Sequence, residues 1–281
     1  MRTFTVTLAA LISTTLACNP MAQRMHGTHG DAPTPDQPHS SSIQEAPLTE
    51  AGIAIPIRDG QTEAWRAAIV ELTGPRYAEY ESSRKRFGLT SQTTFLQRTP
   101  MGDFAVIHLT GPDVHASFHE MSASKDPWDV SWREMTLDLH GMDFAKGAAV
   151  MPKVELAFST QSNDLTETRP YMFIAPVVDV AAFRALAREI TGARRDDYAR
   201  SRARLGVARE ATFLETTGRG AVMVTYWLAR DPAASIARLS ESNDSFDRWL
   251  KTAARDAHRM PLEQLPINAN PLVGQYPRPG A

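Results

Sequence analysis

This sequence has very little cysteine and almost no net charge. Cys18 is the only cysteine among 281 residues, so the chain cannot form an intramolecular disulfide. The 30 basic and 32 acidic side chains leave a formal net charge of -2, with no basic stripe. Strong nucleic-acid binding depends on such a stripe. We therefore expect no nucleic-acid partner.

Recognisable catalytic signatures are also absent. The sequence has no Ser-His-Asp nucleophile motif, no glycine-rich phosphate loop and no paired zinc ligands. His115 and His119 have an i, i+4 spacing that suits a metal, but no third ligand can be named. We therefore assign no metal site, no catalytic residue and no cofactor, and the sequence leaves open whether the protein is an enzyme.

Residues 1–18 have the pattern of an export signal: Arg2, an apolar segment over 4–16, then Ala17 and Cys18. The place of Cys18 resembles the acylation site of bacterial lipoproteins, although Thr15 stands where leucine is usual. Acylation of Cys18 and ordinary cleavage nearby both remain open. Either predicts an exported protein, periplasmic or anchored in a membrane as a lipoprotein.

Residues 19–50 are rich in Asn, Pro, His, Gly, Ser and Asp and have few apolar side chains. A segment of this composition cannot bury enough apolar surface to offset the entropy lost on ordering. It predicts a disordered tether. Its histidines and methionines could in principle collect copper or zinc, but a flexible linker of this kind more often binds no metal.

The rest of the chain contains the same module twice. Residues 64–142 align with residues 182–260 at a constant offset of 118 without a gap, and about a third of the positions are identical. The shared residues include Gly74, Arg76, Tyr80, Ser83, Arg84, Ser124, Asp129 and His140. The sequence therefore predicts two repeats, a first over 51–165 and a second over 166–281.

Each repeat has the pattern of a strand, a long helix, a strand hairpin, further helices and a last strand. In the first repeat the long helix is predicted over 63–87, with Pro75 bending it, and the last strand over 154–158. The second repeat ends in a weak strand candidate over 271–276. Gly88 and Gly206 are expected to end the long helices, and Asp126 and Asp244 to cap later ones.

This βαββαβ order is the ferredoxin-like pattern, in which helices cover one sheet face and the other face needs a partner. If two such sheets pack face to face, each covers the open face of the other. The arrangement resembles the dimeric α+β barrel superfamily, with the two tandem repeats forming an intramolecular pseudo-dimer. The recurring Ser-x-Ser-x-Asp-x-Trp/Phe-Asp segments, 122–129 and 240–247, are similar to stretches in uncharacterised bacterial members. The resemblance implies an α+β fold and carries no known chemistry.

Four candidate ligand-binding residues come from the predicted long helices. At 100° per residue, Arg76 and Tyr80 lie on the apolar stripe of the first, as do Arg194 and Tyr198 in the second. An arginine and a tyrosine one turn apart could clamp an anion. Alternatively, each arginine snorkels to the sheet edge or pairs with an internal carboxylate, which we favour as the interpretation.

His108 and Tyr226 are two further candidates, at equivalent positions on the second hairpin strand of each repeat. If their sheet face lines the space between the sheets, they are the polar groups best placed to meet a ligand there. If it faces the helices, they are satisfied core residues. His140 and His258, the only histidines kept in both repeats, are explained by a favourable charge near a helix C-terminus.

The leading hypothesis is an exported protein, membrane-tethered if Cys18 is acylated, that binds a small ligand or a partner through the duplicated barrel. The superfamily resemblance also permits a cofactor-free or haem-dependent oxygenase-type enzyme. A structural envelope protein is a third hypothesis. The first two differ in whether the space between the sheets is open and polar or filled by side chains.

Replacing Cys18 with alanine tests the anchor. We expect Cys18→Ala to move the mature protein from the membrane fraction to the soluble fraction, because a fully acylated cysteine holds a protein firmly at a bilayer. The melting temperature should not change, since the tether adds nothing to the core. Fractionation and mass spectrometry of the N-terminus check this. An unmutated protein that is already soluble, with an unmodified N-terminus, would exclude the anchor.

Overall fold

The computed structural model describes residues 47–162, 167–261 and 270–278, all within one compact unit, Glu45–Ala281. The predicted export signal over 1–18, with Cys18, lies outside the described residues, as do residues 19–46 of the predicted tether over 19–50. The folded body begins before the predicted boundary at residue 50, since Leu48 packs on the core and Glu50 opens the first strand. No described helix is long and apolar enough to span a membrane.

The elements follow the predicted order in both repeats. The first contains β1 (Glu50–Pro56), α1 (Thr62–Thr73), α2 (Tyr77–Arg86), β2 (Ser91–Thr99), β3 (Gly102–Thr110), α3 (Val114–Ala123), α4 (Pro127–His140), a 3-10 helix (Phe144–Ala149) and β4 (Lys153–Gln161). The second contains β5 (Arg169–Val177), α5 (Val180–Thr191), α6 (Arg195–Leu205), β6 (Val207–Thr217), β7 (Gly220–Ala229), α7 (Pro232–Glu241), α8 (Ser245–His258) and β8 (Leu272–Tyr276).

The predicted long helix is wrong in both repeats, because the chain breaks it into two helices. The break falls at Gly74 in the first repeat and at Gly192 in the second, so Pro75 is not its general cause. A Cβ on Gly74 would lie 2.6 Å from the carbonyl oxygen of Val70, and one on Gly192 would lie 2.9 Å from that of Arg188. Only glycine fits these close approaches, which explains why both repeats keep it.

Side-chain caps begin the later helices as predicted. Asp126 accepts a hydrogen bond from the backbone N–H of Trp128, and Asp244 accepts one from that of Phe246, both at 2.9 Å. Each satisfies an amide that has no partner within its helix. The capping function therefore survives the change from Pro127 to Ser245 at the next position.

The strands form two four-stranded antiparallel sheets, with the orders β1-β3-β2-β8 and β4-β6-β7-β5. We call them the first and the second sheet. β4, from the end of the first repeat, pairs with β6, while β8, from the end of the second repeat, pairs with β2. Each repeat therefore supplies the last strand of the other repeat's sheet, an exchange that the sequence pattern did not specify.

Three apolar layers hold this arrangement together. One lies between the first sheet and its helices and another between the second sheet and its helices. The third lies between the sheets and consists of Ala54, Phe95, Val106, Met172, Ile174, Ala211, Phe213, Val224 and Tyr226. The fold is therefore α+β, with two tandem ferredoxin-like repeats packed as an intramolecular pseudo-dimeric α+β barrel.

The recurring serine and aspartate segment has a structural use in each repeat. Asp129 is fully buried and accepts hydrogen bonds from Ser83 at 2.8 Å, Ser124 at 2.6 Å and Arg86 at 2.9 Å. Asp247 makes the equivalent bonds with Ser201, Ser242 and Arg204. Each aspartate thus ties its helix, α4 or α8, to the helix before the hairpin. This role explains why both repeats keep the motif.

Polar side chains cover the free backbone edges of β1 and β5. The Gln97 amide accepts from the N–H of Ile174 at 2.7 Å and donates to its carbonyl at 3.1 Å. In the equivalent contact, Glu215 Oε2 accepts from the N–H of Ala54 at 2.6 Å. Burial raises the pKa of Glu215 to about 8. The second repeat thus holds a carboxylic acid where the first holds an amide.

Replacing Glu215 with glutamine should remove a pH dependence of stability. Because the folded pKa of Glu215, about 8, exceeds its ordinary 4.5, the folded state binds the extra proton between these values and loses stability as pH rises. We expect Glu215→Gln to match the unmutated protein near pH 4.5 and to exceed its free energy of unfolding at pH 9 by on the order of 3–5 kcal/mol.

Denaturant unfolding of both proteins between these pH values measures this difference. Gln97→Glu is the matched variant, and we expect it to introduce the same loss at high pH. Parallel stability curves for the unmutated protein and Glu215→Gln would show that Glu215 is ionised in the folded state.

Candidate functional site

Arg76 and Arg194 lie at the helix breaks, close to the surface. The Arg76 side chain is 38% exposed and lies 3.2 Å from Glu79, which raises its pKa. The Arg194 guanidinium lies 4.2 Å from the ring centroid of Trp249. Arg76 is paired at the surface, while Arg194 stacks on Trp249 and has its buried Nε 3.7 Å from Glu189 without a hydrogen bond. A ligand role for either stays a prediction.

Tyr80 and Tyr198 are buried, one between each sheet and its helices. Burial raises the pKa of Tyr80 to about 12, so its hydroxyl keeps its proton at neutral pH. The Tyr80 N–H donates to the carbonyl of Arg76 at 3.1 Å, so the two residues lie one turn apart at the start of α2, but the Arg76 side chain is partly exposed whereas Tyr80 is buried. The cation beside Tyr80 is Arg84, one turn later, whose guanidinium carbon lies 5.1 Å from the ring centroid.

His108 and Tyr226 face the space between the sheets, where they meet each other. Their rings stack at 3.8 Å with an angle of 8° between the planes. His108 Nε2 and Arg209 Nη2 each lie 2.6 Å from Glu50 Oε1. Burial lowers the pKa of His108, so the neutral ring donates its Nε2–H to the carboxylate. These side chains satisfy one another.

An apolar cluster lies between the sheets beside this pair, and Gln97 and Glu215 also reach across the inter-sheet space. Val106 and Phe213 have no exposed surface. A Cβ on Gly52 would lie 2.5 Å from the Phe213 ring. The sheets therefore pack together without an open polar chamber at these residues. The other interior spaces of the fold lie between each sheet and its helices.

A cavity of about 60 Å³ lies between the first sheet and its helices. We call it the helix–sheet cavity. Its walls are mainly apolar and include Ile53, Trp65, Leu72, Leu109, Trp132 and Phe144. Tyr80, Arg84, Gln92 and Thr94 form much of its polar lining. At roughly 10–15 Å³ for each water-sized atom, the volume holds about four to six non-hydrogen atoms.

Arg84 is the unusual group on this wall. It is 2% exposed, yet it forms no ion pair with any residue that the structure describes. Its guanidinium donates to Gln92 Oε1 and to Ser83 Oγ, both at 3.2 Å, while its Nε has no acceptor. Burial lowers the pKa of Arg84. A buried cation without a counter-charge is costly.

The second repeat neutralises the same cation internally. Arg202, the equivalent of Arg84, has its Nε 2.9 Å from Glu210 Oε2. Burial works to lower the pKa of Arg202, but Glu210 raises it overall. Glu210 occupies the position of Gln92 in the first repeat. One residue difference therefore separates a buried ion pair from an unpaired buried arginine.

A second difference concerns volume. Leu109, on the cavity wall, corresponds to Trp227 in the second repeat. The Trp227 ring is 2% exposed and packs edge-on against Phe173 with centroids 5.5 Å apart. The second repeat thus carries a larger ring and a carboxylate where the first has a smaller side chain and an amide.

Sequence reasoning missed Arg84, Gln92 and Glu210. The signal was present: Arg84 and Arg202 are identical across the repeats and follow the tyrosines by one turn, at i+4. The assumption of one continuous helix over 63–87 made Arg76 the candidate ligand-binding residue instead. The charge change from Gln92 to Glu210 is visible in the alignment, but its meaning requires knowing that both side chains are buried against an arginine.

The repeated histidines make equivalent backbone contacts. Nδ1 of His140 lies 2.9 Å from the carbonyl oxygen of Pro56, and Nδ1 of His258 lies 2.6 Å from that of Pro176. Burial lowers the pKa of both rings, so each is neutral and donates this hydrogen bond. They fasten α4 and α8 to the ends of β1 and β5, and a helix-terminal charge is not the explanation.

A groove of about 790 Å³ lies on the other side of α3. Its charged lining carries both signs, from Asp113, Lys153, Glu155 and Arg184, and His115 and His119 lie along it. Arg184 and Glu155 pair at 2.9 Å. Among the described residues, no cluster of three or more His, Cys, Asp or Glu side chains could hold a metal ion.

Comparisons with known proteins report similarity of structure alone. No protein-family model matches the chain, and no curated protein does. A crystal structure of a proposed monooxygenase from Fusobacterium nucleatum is similar, with 9% identity and a TM-score of 0.44, covering 80% of this chain and 92% of that one. An anthrone oxidase-like protein has 12% identity and a TM-score of 0.43, covering 74% and 85%. Similarities at this level assign no reaction to this chain.

The difference between the two arginines predicts unequal responses to mutation. We expect Arg202→Met to lower the free energy of unfolding by about 3–5 kcal/mol at pH 7, because it leaves Glu210 buried without its partner. Arg84→Met abandons no carboxylate and removes a buried cation that has no ion pair, so we expect the free energy of unfolding to stay level or rise.

Denaturant unfolding of both variants measures these changes. Arg66→Met, at an exposed surface pair with Glu63, is the control and should change little. Equal losses for Arg84→Met and Arg202→Met would show that Arg84 has a buried counter-charge after all.

Proposed function

We propose that the protein binds a small organic molecule in the helix–sheet cavity of its first repeat. The observation that carries this proposal is Arg84, a fully buried guanidinium that forms no ion pair among the described residues and lies on the wall of a cavity. Mainly apolar walls with a few polar groups are typical of small-molecule sites. The cavity volume limits the ligand, or its buried part, to about four to six non-hydrogen atoms.

Location outside the cytoplasm forms part of the proposal. It rests on the export pattern over 1–18 and on the place of Cys18 beside it. An acylated Cys18 followed by a polar segment would hold the folded body away from a membrane surface. The ligand is then met in the periplasm or at the outside of the cell.

Oxygenase-type chemistry finds less support from the residues. The helix–sheet cavity has about 60 Å³, far below the range of about 300–1,000 Å³ typical of pockets for drug-sized ligands, and haem is at least as large as such ligands. The residues therefore do not fit haem there. His140, which lines the cavity, hydrogen-bonds to the backbone as His258 does, so its presence is explained without catalysis. We therefore favour binding over catalysis.

The binding function is tested with small four-carbon probes: butyrate, butyramide, 1-butanol and 2-butanone. We expect at least one of them to bind saturably, observed by calorimetry and by methyl NMR shifts of residues on the cavity wall. Leu109→Trp, which introduces the side chain that the second repeat carries at this position, should abolish the binding because it fills the cavity.

Val70→Trp introduces the same ring at a site that is 58% exposed and should leave binding unchanged. No saturable binding of any probe to the unmutated protein would contradict the proposal and favour a structural envelope role. Binding that Leu109→Trp leaves intact would place the site elsewhere.

A further inference from the structure

We propose that the ligand of the helix–sheet cavity is a small monocarboxylate whose carboxylate group pairs with Arg84. This inference rests on the proposed binding function and names its ligand class. It follows from comparing two copies of one module within one chain. The copy that lacks an internal carboxylate is the copy that presents its arginine to a cavity.

The second repeat provides the template for the contact. There the carboxylate of Glu210 lies 2.9 Å from Nε of Arg202. The Nε atoms of Arg202 and Arg84 both lack an aligned hydrogen-bond acceptor, so the two copies differ in charge: among the described residues no carboxylate forms an ion pair with Arg84, whose Nε is buried. A ligand carboxylate beside this Nε would occupy the place that Glu210 takes in the other copy. The two repeats would then hold the same charge pair, one built into the chain and one completed by the ligand.

The nearest internal carboxylate does not replace this partner. Asp129 forms no ion pair with Arg84, although it attracts Arg84 at longer range. Ser83 hydrogen-bonds to both, and the oxygens of Asp129 already accept from Ser83, Ser124 and Arg86. The second repeat has the same arrangement around Asp247 and still adds Glu210 beside its arginine. An aspartate at this distance therefore accompanies both arginines, and the charge of Glu210 is what the first repeat lacks.

Aromatic rings offer Arg84 partial compensation. Its guanidinium carbon lies 5.1 Å from the ring centroid of Tyr80, 5.2 Å from Trp132 and 5.9 Å from Trp128. Ring faces attract a cation but accept no in-plane N–H bond, so Nε stays free for a ligand oxygen. The rings also surround the site with apolar surface, which strengthens a charge-assisted bond formed there.

Charge and size select a monocarboxylate among anions. Among the described residues Arg84 is the single cation on the cavity wall, so one negative charge balances it. A phosphate dianion would carry a second charge into apolar surroundings, at a high cost. A short chain of about three or four carbons fits the volume and contacts Leu72, Leu109 and Trp132.

The test compares butyrate with butyramide, which has the same shape without the charge. In calorimetry at pH 7 we expect the full chain to bind butyrate about tenfold or more tightly than butyramide. Gln92→Glu places a carboxylate beside Arg84, as in the second repeat, and should weaken butyrate at least about tenfold while changing butyramide far less. Arg84→Met should make the two probes bind equally, and Arg66→Met should change neither.

Each outcome decides between the two proposals. Equal binding of butyrate and butyramide to the unmutated protein overturns the carboxylate assignment and leaves the binding function standing. Failure of every four-carbon probe overturns both. Inorganic phosphate that competes with butyrate overturns the choice of a monocarboxylate. If Gln92→Glu fails to fold, the loss of butyrate preference in Arg84→Met still decides the matter.

Discussion

The constraint on which the structure depends is that neither repeat can complete its own sheet. The last strand of each repeat pairs within the other sheet, and the inner faces of the two sheets pack against each other. Gln97 and Glu215 add bonds to strand edges that would otherwise leave backbone groups unpaired. The two repeats are therefore parts of one folded body.

Duplication within one folded body allows the two copies to diverge. The second repeat forms a buried ion pair, Arg202 with Glu210, and carries Trp227 against its sheet. The first repeat keeps the arginine, has Gln92 and Leu109 at the same positions, and contains a cavity beside them.

Much of the fold could be predicted from the sequence, because repeats and periodic apolar residues report directly on local structure. The βαββαβ order, the strand over 271–276 and the caps at Asp126 and Asp244 are confirmed. The helix break was missed because a close approach at Gly74 is a three-dimensional fact. Strand exchange was missed because β4 and β8 carry no sequence mark of their partner. Because the helix is broken, the candidate binding arginine in the structure is Arg84 rather than Arg76.

Separate expression of the two halves tests the mutual completion of the repeats most directly. Residues 47–165 and 166–281 would be produced alone and then mixed, with folding followed by circular dichroism and association by analytical ultracentrifugation. The account predicts that neither half forms a stable monomer and that mixing yields a one-to-one complex with a single cooperative melt. Two folded monomers, each melting cooperatively without its partner, would contradict it.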